Sequence, residues 1–115
     1  MRRLAAAAGL LLLTALPAAA HHGWSGYDSS KLVTLEGTVQ EISYSNPHVH
    51  LILSADGKTW EIVLAPPSRM QRRGLPEGSI QVEQAVAVEG YLHREDPDEF
   101  RAERIRVNGE TYELR

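Results

Sequence analysis

Hydrophobic and polar residues alternate along most of the chain after residue 30, a pattern typical of half-buried β-strands. The clearest example begins at Pro47, which favours an extended start and excludes the interior of a helix. Alternate residues from Val49 to Leu53 are aliphatic and share one face. The opposite face carries His48 and His50, whose imidazoles are costly to bury without polar partners. This stretch therefore predicts a core strand with two histidines on its outer side.

The same pattern predicts a series of short strands joined by tight turns. Asp56-Gly57 and Asn108-Gly109 are two-residue hairpin signals. The predicted strands are 31–45, 48–55, 59–65, 84–93, 100–107 and 110–114, with a short helix at 68–73 capped by Ser68. A change of parity in the first strand predicts a bulge or bend at Gly37, and Gly90 permits another bend. Residues 77–84 are read as a loop that can include a short strand at Ile80 and Val82.

This order of elements predicts an all-β fold in residues 31–115. A long bent first strand and a helix between the third and fourth strands are typical of a small five- to six-stranded OB-like Greek-key barrel with one short helix. A β-sandwich of similar size is the alternative.

The first twenty residues have the pattern of a signal peptide. Arg2 and Arg3 precede an apolar run at 4–16, and Ala18-Ala19-Ala20 supplies small residues for cleavage. The apolar run is too short to remain as a membrane anchor. We therefore expect export to a bacterial periplasm, with residues 21–30 forming an N-terminal arm of the mature protein.

Composition narrows the classes of partner. Removal of residues 1–20 leaves ten basic and fifteen acidic residues, a net charge of −5 with histidine neutral. Nucleic-acid binding is not expected, because its affinity depends largely on basic residues that meet phosphates. The chain has no cysteine, so no disulfide supports this small domain and no thiolate can ligate a metal.

Four of the five histidines fall in two close pairs, His21-His22 and His48-x-His50. A mature N-terminal His21 offers its α-amine as well as its imidazole, and the amine loses its proton to a metal at little cost near neutral pH. Nitrogen ligands of this kind suit copper(II), with zinc(II) less favoured. The hypothesis is a metal site formed by His21, His22, His48 and His50. Cleavage one residue earlier would put Ala20 first and still leave a metal-competent terminus.

Two other classes of function stay open at this point. A metal-free OB-type module could recognise a protein or another ligand of the cell envelope, with the histidines incidental. An oxidative copper enzyme with a terminal histidine is the third hypothesis, but the sequence shows no substrate groove for it. The sequence also has no nucleophile elbow, phosphate loop or catalytic-triad spacing. One face of the predicted helix carries Arg69, Arg72 and Arg73. Such a face is usually exposed to solvent, and binding of an anionic partner is the alternative.

The chain resembles a family of small exported bacterial proteins called domain of unknown function 6152. The resemblance rests on His21-His22-Gly23-Trp24 after a signal peptide, Gly37-Thr38-Val39, Asn46-Pro47-His48, and Trp60 on the following strand. It extends over essentially the whole mature chain. It implies an exported location and a small size, but no activity.

Overall fold

The computed structural model describes residues 23–115 and shows a small β-barrel with one short helix. The predicted signal peptide, together with His21 and His22, lies outside the described residues. The elements after an initial 3-10 turn at Trp24–Gly26 are β1 (Val33–Ser43), β2 (His50–Ala55), β3 (Lys58–Val63), α1 (Pro67–Arg72), β4 (Ala85–Leu92), β5 (Glu99–Val107) and β6 (Glu110–Glu113).

The strands form one sheet in the order β3-β2-β1-β4-β5-β6, and an additional parallel pairing between β3 and β5 closes it. Five strands thus make a closed barrel, and β6 is an extra strand on β5. The predicted all-β, OB-like barrel with a single short helix is confirmed. Closure leaves β3 and β5 side by side, so side chains far apart in sequence meet on the outer surface at this seam.

Strand β1 pairs with two neighbouring strands along its length. Its first half pairs with β4 and its second half with β2, and Thr38 takes part in both ladders. The bulge lies between Val39 and Glu41, so its prediction at Gly37 was wrong. Gly37 is required for another reason: a Cβ there would lie 2.1 Å from the carbonyl oxygen of Ser54. The bend predicted at Gly90 is confirmed by a register shift between Glu89 and Gly90.

The turns and the helix follow local chemistry. Both residues of Asp56-Gly57 and of Asn108-Gly109 have positive φ, as two-residue hairpins of this twist require. The helix begins at Pro67 and has no side-chain cap, so the predicted cap at Ser68 was wrong. Proline suits this first position because its missing N–H would have no partner there. Residues 77–84 contain turns and no strand, with Ile80 buried and Val82 half exposed.

The barrel interior is filled by aliphatic residues and one phenylalanine. Val49, Leu51 and Leu53 are fully buried, whereas His48, His50 and Ile52 on the opposite side are partly exposed. The predicted division of this strand into two faces is therefore confirmed. The largest fully buried side chains are Phe100, Leu51, Leu53, Ile62, Leu64, Met70, Leu75, Ile105 and Leu114.

Candidate functional site

The two histidines of the Pro47–His50 segment lie on the outside of the barrel and line the same depression. His50 is the first residue of β2, and His48 precedes it in the connection from β1. Both contribute to two adjoining depressions of about 360 and 340 Å³. We call this combined surface the histidine cleft. One side of it is formed by the β1–β2 connection and β3, and the other by Tyr27 and the start of β5.

Glu61 orients the ring of His50. Its Oε1 lies 3.0 Å from Nδ1 of His50, and the two residues are diagonal neighbours on β2 and β3. A carboxylate only accepts hydrogen bonds, so Nδ1 carries the proton and donates it. In the neutral ring the lone pair then resides on Nε2. This is the arrangement that protein metal sites use to prepare a histidine ligand.

His48 has a different neighbour. A terminal nitrogen of the Arg101 guanidinium lies 3.4 Å from Nε2 of His48. Because arginine only donates, Nε2 of His48 is the acceptor in this contact. A cation at that atom would have to displace a positive charge. The two histidines are therefore prepared unequally for metal binding, and His50 is the better ligand.

The N-terminal segment packs against the barrel beside the histidine cleft. Tyr27 is buried, forms a β-bridge with His93 and donates its hydroxyl hydrogen to Oε2 of Glu99. The amide of Asp28 donates to the carbonyl of Leu92 at 2.8 Å. Burial raises the pKa of Tyr27, and the hydrogen bond to Glu99 raises it further. The segment before β1 therefore packs beside the cleft, and Tyr27 forms part of its wall.

His93 has a structural position. Its Nδ1 accepts backbone hydrogen bonds from Glu95 and Asp96, and its ring meets that of Tyr27 edge-on at 5.1 Å. Its Nε2 lies 3.7 Å from a carboxylate oxygen of Glu99. These contacts hold the β4–β5 turn and the N-terminal segment together.

Arg101 is a residue that the sequence did not single out. It is only 5% exposed, at the end of the β3–β5 pairing opposite Val63, and its guanidinium carbon lies 4.5 Å from the centre of the Trp24 ring. Burial lowers the pKa of Arg101. No local pattern marks an outward-facing arginine as one that another segment will cover. Its burial depends on Trp24 and Tyr27, which are more than seventy residues away in the chain.

Glu61 was also missed, although a signal for it exists. The Asp56-Gly57 turn determines the register of the β2–β3 hairpin, which pairs Ile52 with Glu61. Since Ile62 faces the core, Glu61 faces outward on the same side as His50. Counting residues from the turn would have placed this carboxylate beside that histidine.

The described residues alone do not complete a metal site. From Gly23 onward, no group of three or more histidine, aspartate or glutamate side chains is arranged to hold a metal ion. Of the four predicted ligands, the structure places His48 and His50 in one cleft, while His21 and His22 lie outside the described residues. No helix within residues 23–115 is long and apolar enough to cross a membrane.

Comparisons with known proteins support the fold and the family. Two solved structures are similar to this chain. One is the ZRD-deleted mutant of TiaS in complex with agmatine, with a TM-score of 0.55 and 17% identity; the match covers 76% of this chain and 27% of that one. The other is a complex of TiaS with a tRNA and ATP, with a TM-score of 0.53 and 17% identity; the match covers 70% of this chain and 18% of that one. At this identity the likeness concerns the fold alone. This chain spans about a quarter or less of those proteins.

A search of curated proteins found no match. A family profile, described as a family of unknown function (DUF6152), matches residues 8–99. This range covers most of the chain, including the N-terminal segment and residues on both sides of the histidine cleft. The chain therefore belongs to the DUF6152 family.

Proposed function

We propose that this protein is exported and binds copper(II), with zinc(II) as the weaker alternative, in the histidine cleft. The ligands are His50 and His48 together with the N-terminal His21 and His22. The observation that carries the proposal is the Glu61–His50 hydrogen bond, which leaves Nε2 of His50 as a lone-pair donor in a cleft shared with His48. The function would be carriage or buffering of the metal rather than catalysis.

The return of the N-terminal segment supports the participation of His21 and His22. These residues are three and two positions before Trp24, whose ring contacts Arg101, and Arg101 contacts His48. An extended chain spans about 3.5 Å per residue, so both histidines are tethered within roughly 7–11 Å of the Trp24 backbone. The covalent connection therefore keeps both histidines close to the segment that lines the cleft through Tyr27.

The charges around the cleft favour a cation on the side of His50. Glu61 and Glu41 line this side, whereas Arg101 contacts His48. Like charges repel most strongly where solvent is excluded, so Arg101 must move away from His48 before that ring can ligate. We therefore assign the principal role to His50 and a secondary one to His48.

The role of the N-terminus can be tested with protein processed by an exporting host. Mass determination is expected to show a mature chain that begins at His21, and equilibrium dialysis is expected to show one tight copper(II) site. A tag placed directly before His21 removes the free α-amine and should abolish tight binding. Unchanged affinity in the tagged protein would exclude the terminal amine as a ligand, and an unprocessed chain would overturn the proposed export.

The role of Glu61 can be tested separately. Glu61→Ala removes the acceptor for Nδ1 of His50 and is expected to weaken copper(II) binding by about 10- to 100-fold, as losses of such supporting groups do. Glu36→Ala is the matched control, because Glu36 is an exposed carboxylate on β1 that lines a different groove. Equal losses in both variants would attribute the effect to general charge instead of ring orientation.

A metal-free binding module is the second candidate, and the position of the cleft favours it. OB barrels bind ligands on the face of strands 2 and 3 and with the loop between strands 1 and 2. The β1–β2 connection at Ser45, Asn46 and Pro47 and strands β2 and β3 form the same face here. Capture of one envelope protein that persists in chelator and in a His48→Ala, His50→Ala variant would favour this candidate over metal binding.

A further inference from the structure

Two arginines flank Trp24 beside the histidine cleft, and a third lies close to them. The guanidinium carbons of Arg101 and Arg115 each lie 4.5 Å from the centre of the Trp24 ring. The two guanidinium carbons are thus no more than about 9 Å apart, so their positive charges act on the same region. We call Arg69, Arg101 and Arg115, together with Trp24, the arginine cluster.

Arg69 joins the cluster from helix α1. Its guanidinium donates to the carbonyl oxygen of Leu114 at 3.3 Å, which holds it beside the residue that precedes Arg115. Its positive charge acts on Arg101: burial lowers the pKa of Arg101, and Arg69 and Arg115 lower it further. The positive charges of Arg69 and Arg115 therefore both act on the buried guanidinium of Arg101.

Two carboxylates near the cluster offset part of this charge. Glu103 forms an ion pair with Arg115 at 3.7 Å, and its other oxygen accepts a hydrogen bond from Tyr91. Glu99 acts on Arg101 and accepts a hydrogen bond from the hydroxyl of Tyr27. Within residues 23–115, Arg69 forms no ion pair. Three arginines against these two glutamates leave a positive local balance on a chain whose overall charge is negative.

We propose that the arginine cluster binds a phosphate group. Guanidinium groups hold phosphate through paired, charge-assisted hydrogen bonds, and the charge of two to three arginines matches a phosphate monoester better than a single carboxylate. Arg69 and Arg115 supply the accessible donors, since Arg115 is 53% exposed, and the buried Arg101 supplies charge beneath the Trp24 ring. The phosphate comes either from free phosphate or from a lipid headgroup.

Trp24 gives this proposal a direct readout. The chain has two tryptophans, and the other, Trp60, packs near Phe100 and Lys58 rather than in the cluster. In ¹⁵N-labelled full-length protein without added metal, titration with sodium phosphate is expected to shift the indole N–H signal of Trp24 saturably. The Trp60 signal is the internal control and should shift no more than it does in sodium chloride of equal ionic strength.

Substitutions test whether the arginines are responsible. Arg69→Gln and Arg115→Gln are each expected to weaken phosphate binding about tenfold, the loss of one hydrogen-bonded charge. Arg106→Gln is the matched control, because Arg106 is exposed on β5 and lines a different groove. Equal titration of all three variants would overturn the proposal, as would a Trp24 shift no larger than in sodium chloride.

A parallel titration with sn-glycerol 3-phosphate distinguishes the two sources. Binding at least tenfold tighter than that of inorganic phosphate would assign the cluster to a lipid headgroup, and a smaller difference would assign it to free phosphate. Both titrations omit copper and zinc. Failure here therefore leaves the proposed metal site intact, and failure of metal binding leaves this proposal intact.

Discussion

Simultaneous replacement of His48 and His50 by alanine is expected to weaken copper(II) binding roughly 10³-fold, which corresponds to about 4 kcal/mol. The reason is that two of the proposed nitrogen ligands disappear together, and water or a weaker ligand must replace them. Equilibrium dialysis of the processed protein measures the effect. Both side chains are partly exposed, so we expect the variant to keep its fold and its unfolding temperature to change little.

The single variants refine this expectation. His50→Ala should cause the greater loss of copper(II) affinity. Glu61 accepts the hydrogen bond from Nδ1 of His50 and leaves its Nε2 available to the metal, whereas Nε2 of His48 accepts a hydrogen bond from Arg101. An unchanged affinity in the double variant would remove the cleft from the metal site altogether. A greater loss from His48→Ala than from His50→Ala would show that Arg101 readily leaves His48, contrary to the proposed ranking.

Replacement of Gly90 by alanine is expected to destabilise the barrel by about 3 kcal/mol or more, at the upper end of what an added methyl group costs. A Cβ at this position would lie 1.9 Å from the carbonyl oxygen of Arg101. The backbone cannot move away easily, because Gly90 pairs with Val33 on one side and Ala102 on the other. Urea unfolding monitored by circular dichroism measures the free energy of unfolding.

Gly78→Ala is the control for this experiment. Gly78 has a positive φ of 90°, but no atom lies within 4 Å of the position a Cβ would occupy. Its substitution should cost about 1 kcal/mol through backbone conformation alone. A similar small loss for Gly90→Ala would show that the β4–β5 bend can open without damage. Failure of Gly90→Ala to fold, with Gly78→Ala folded, agrees with the expected clash.

Much of the fold follows from short stretches of sequence. Asp56-Gly57 and Asn108-Gly109 determine two hairpins, because both residues of each pair adopt the positive φ that the turns require. Alternation predicted which residues of β2 face the core. The bulge of β1 could not be located in this way. Glycine at position 37 suggested a bulge there, but it is required because the carbonyl of Ser54 lies close to it in the folded barrel, and the bulge lies between Val39 and Glu41.

The candidate site divides in a similar manner. Local pattern placed His48 and His50 on one face, and the hairpin register contains the information that puts Glu61 beside His50. Arg101 and Trp24 could not be related by any such counting. They meet because parallel pairing of β3 with β5 closes the barrel and the N-terminal segment packs against the start of β5.

The sequence by itself determined the strands, the two tight turns and the outward direction of the histidine pair, because these depend on backbone propensity and on side-chain alternation between near neighbours. Tertiary structure alone decided that Arg101 is buried beside His48, that two guanidinium groups lie close to the Trp24 ring, and that Gly37 and Gly90 admit no side chain. Each of these depends on segments that are distant in the chain and come together only when the barrel closes.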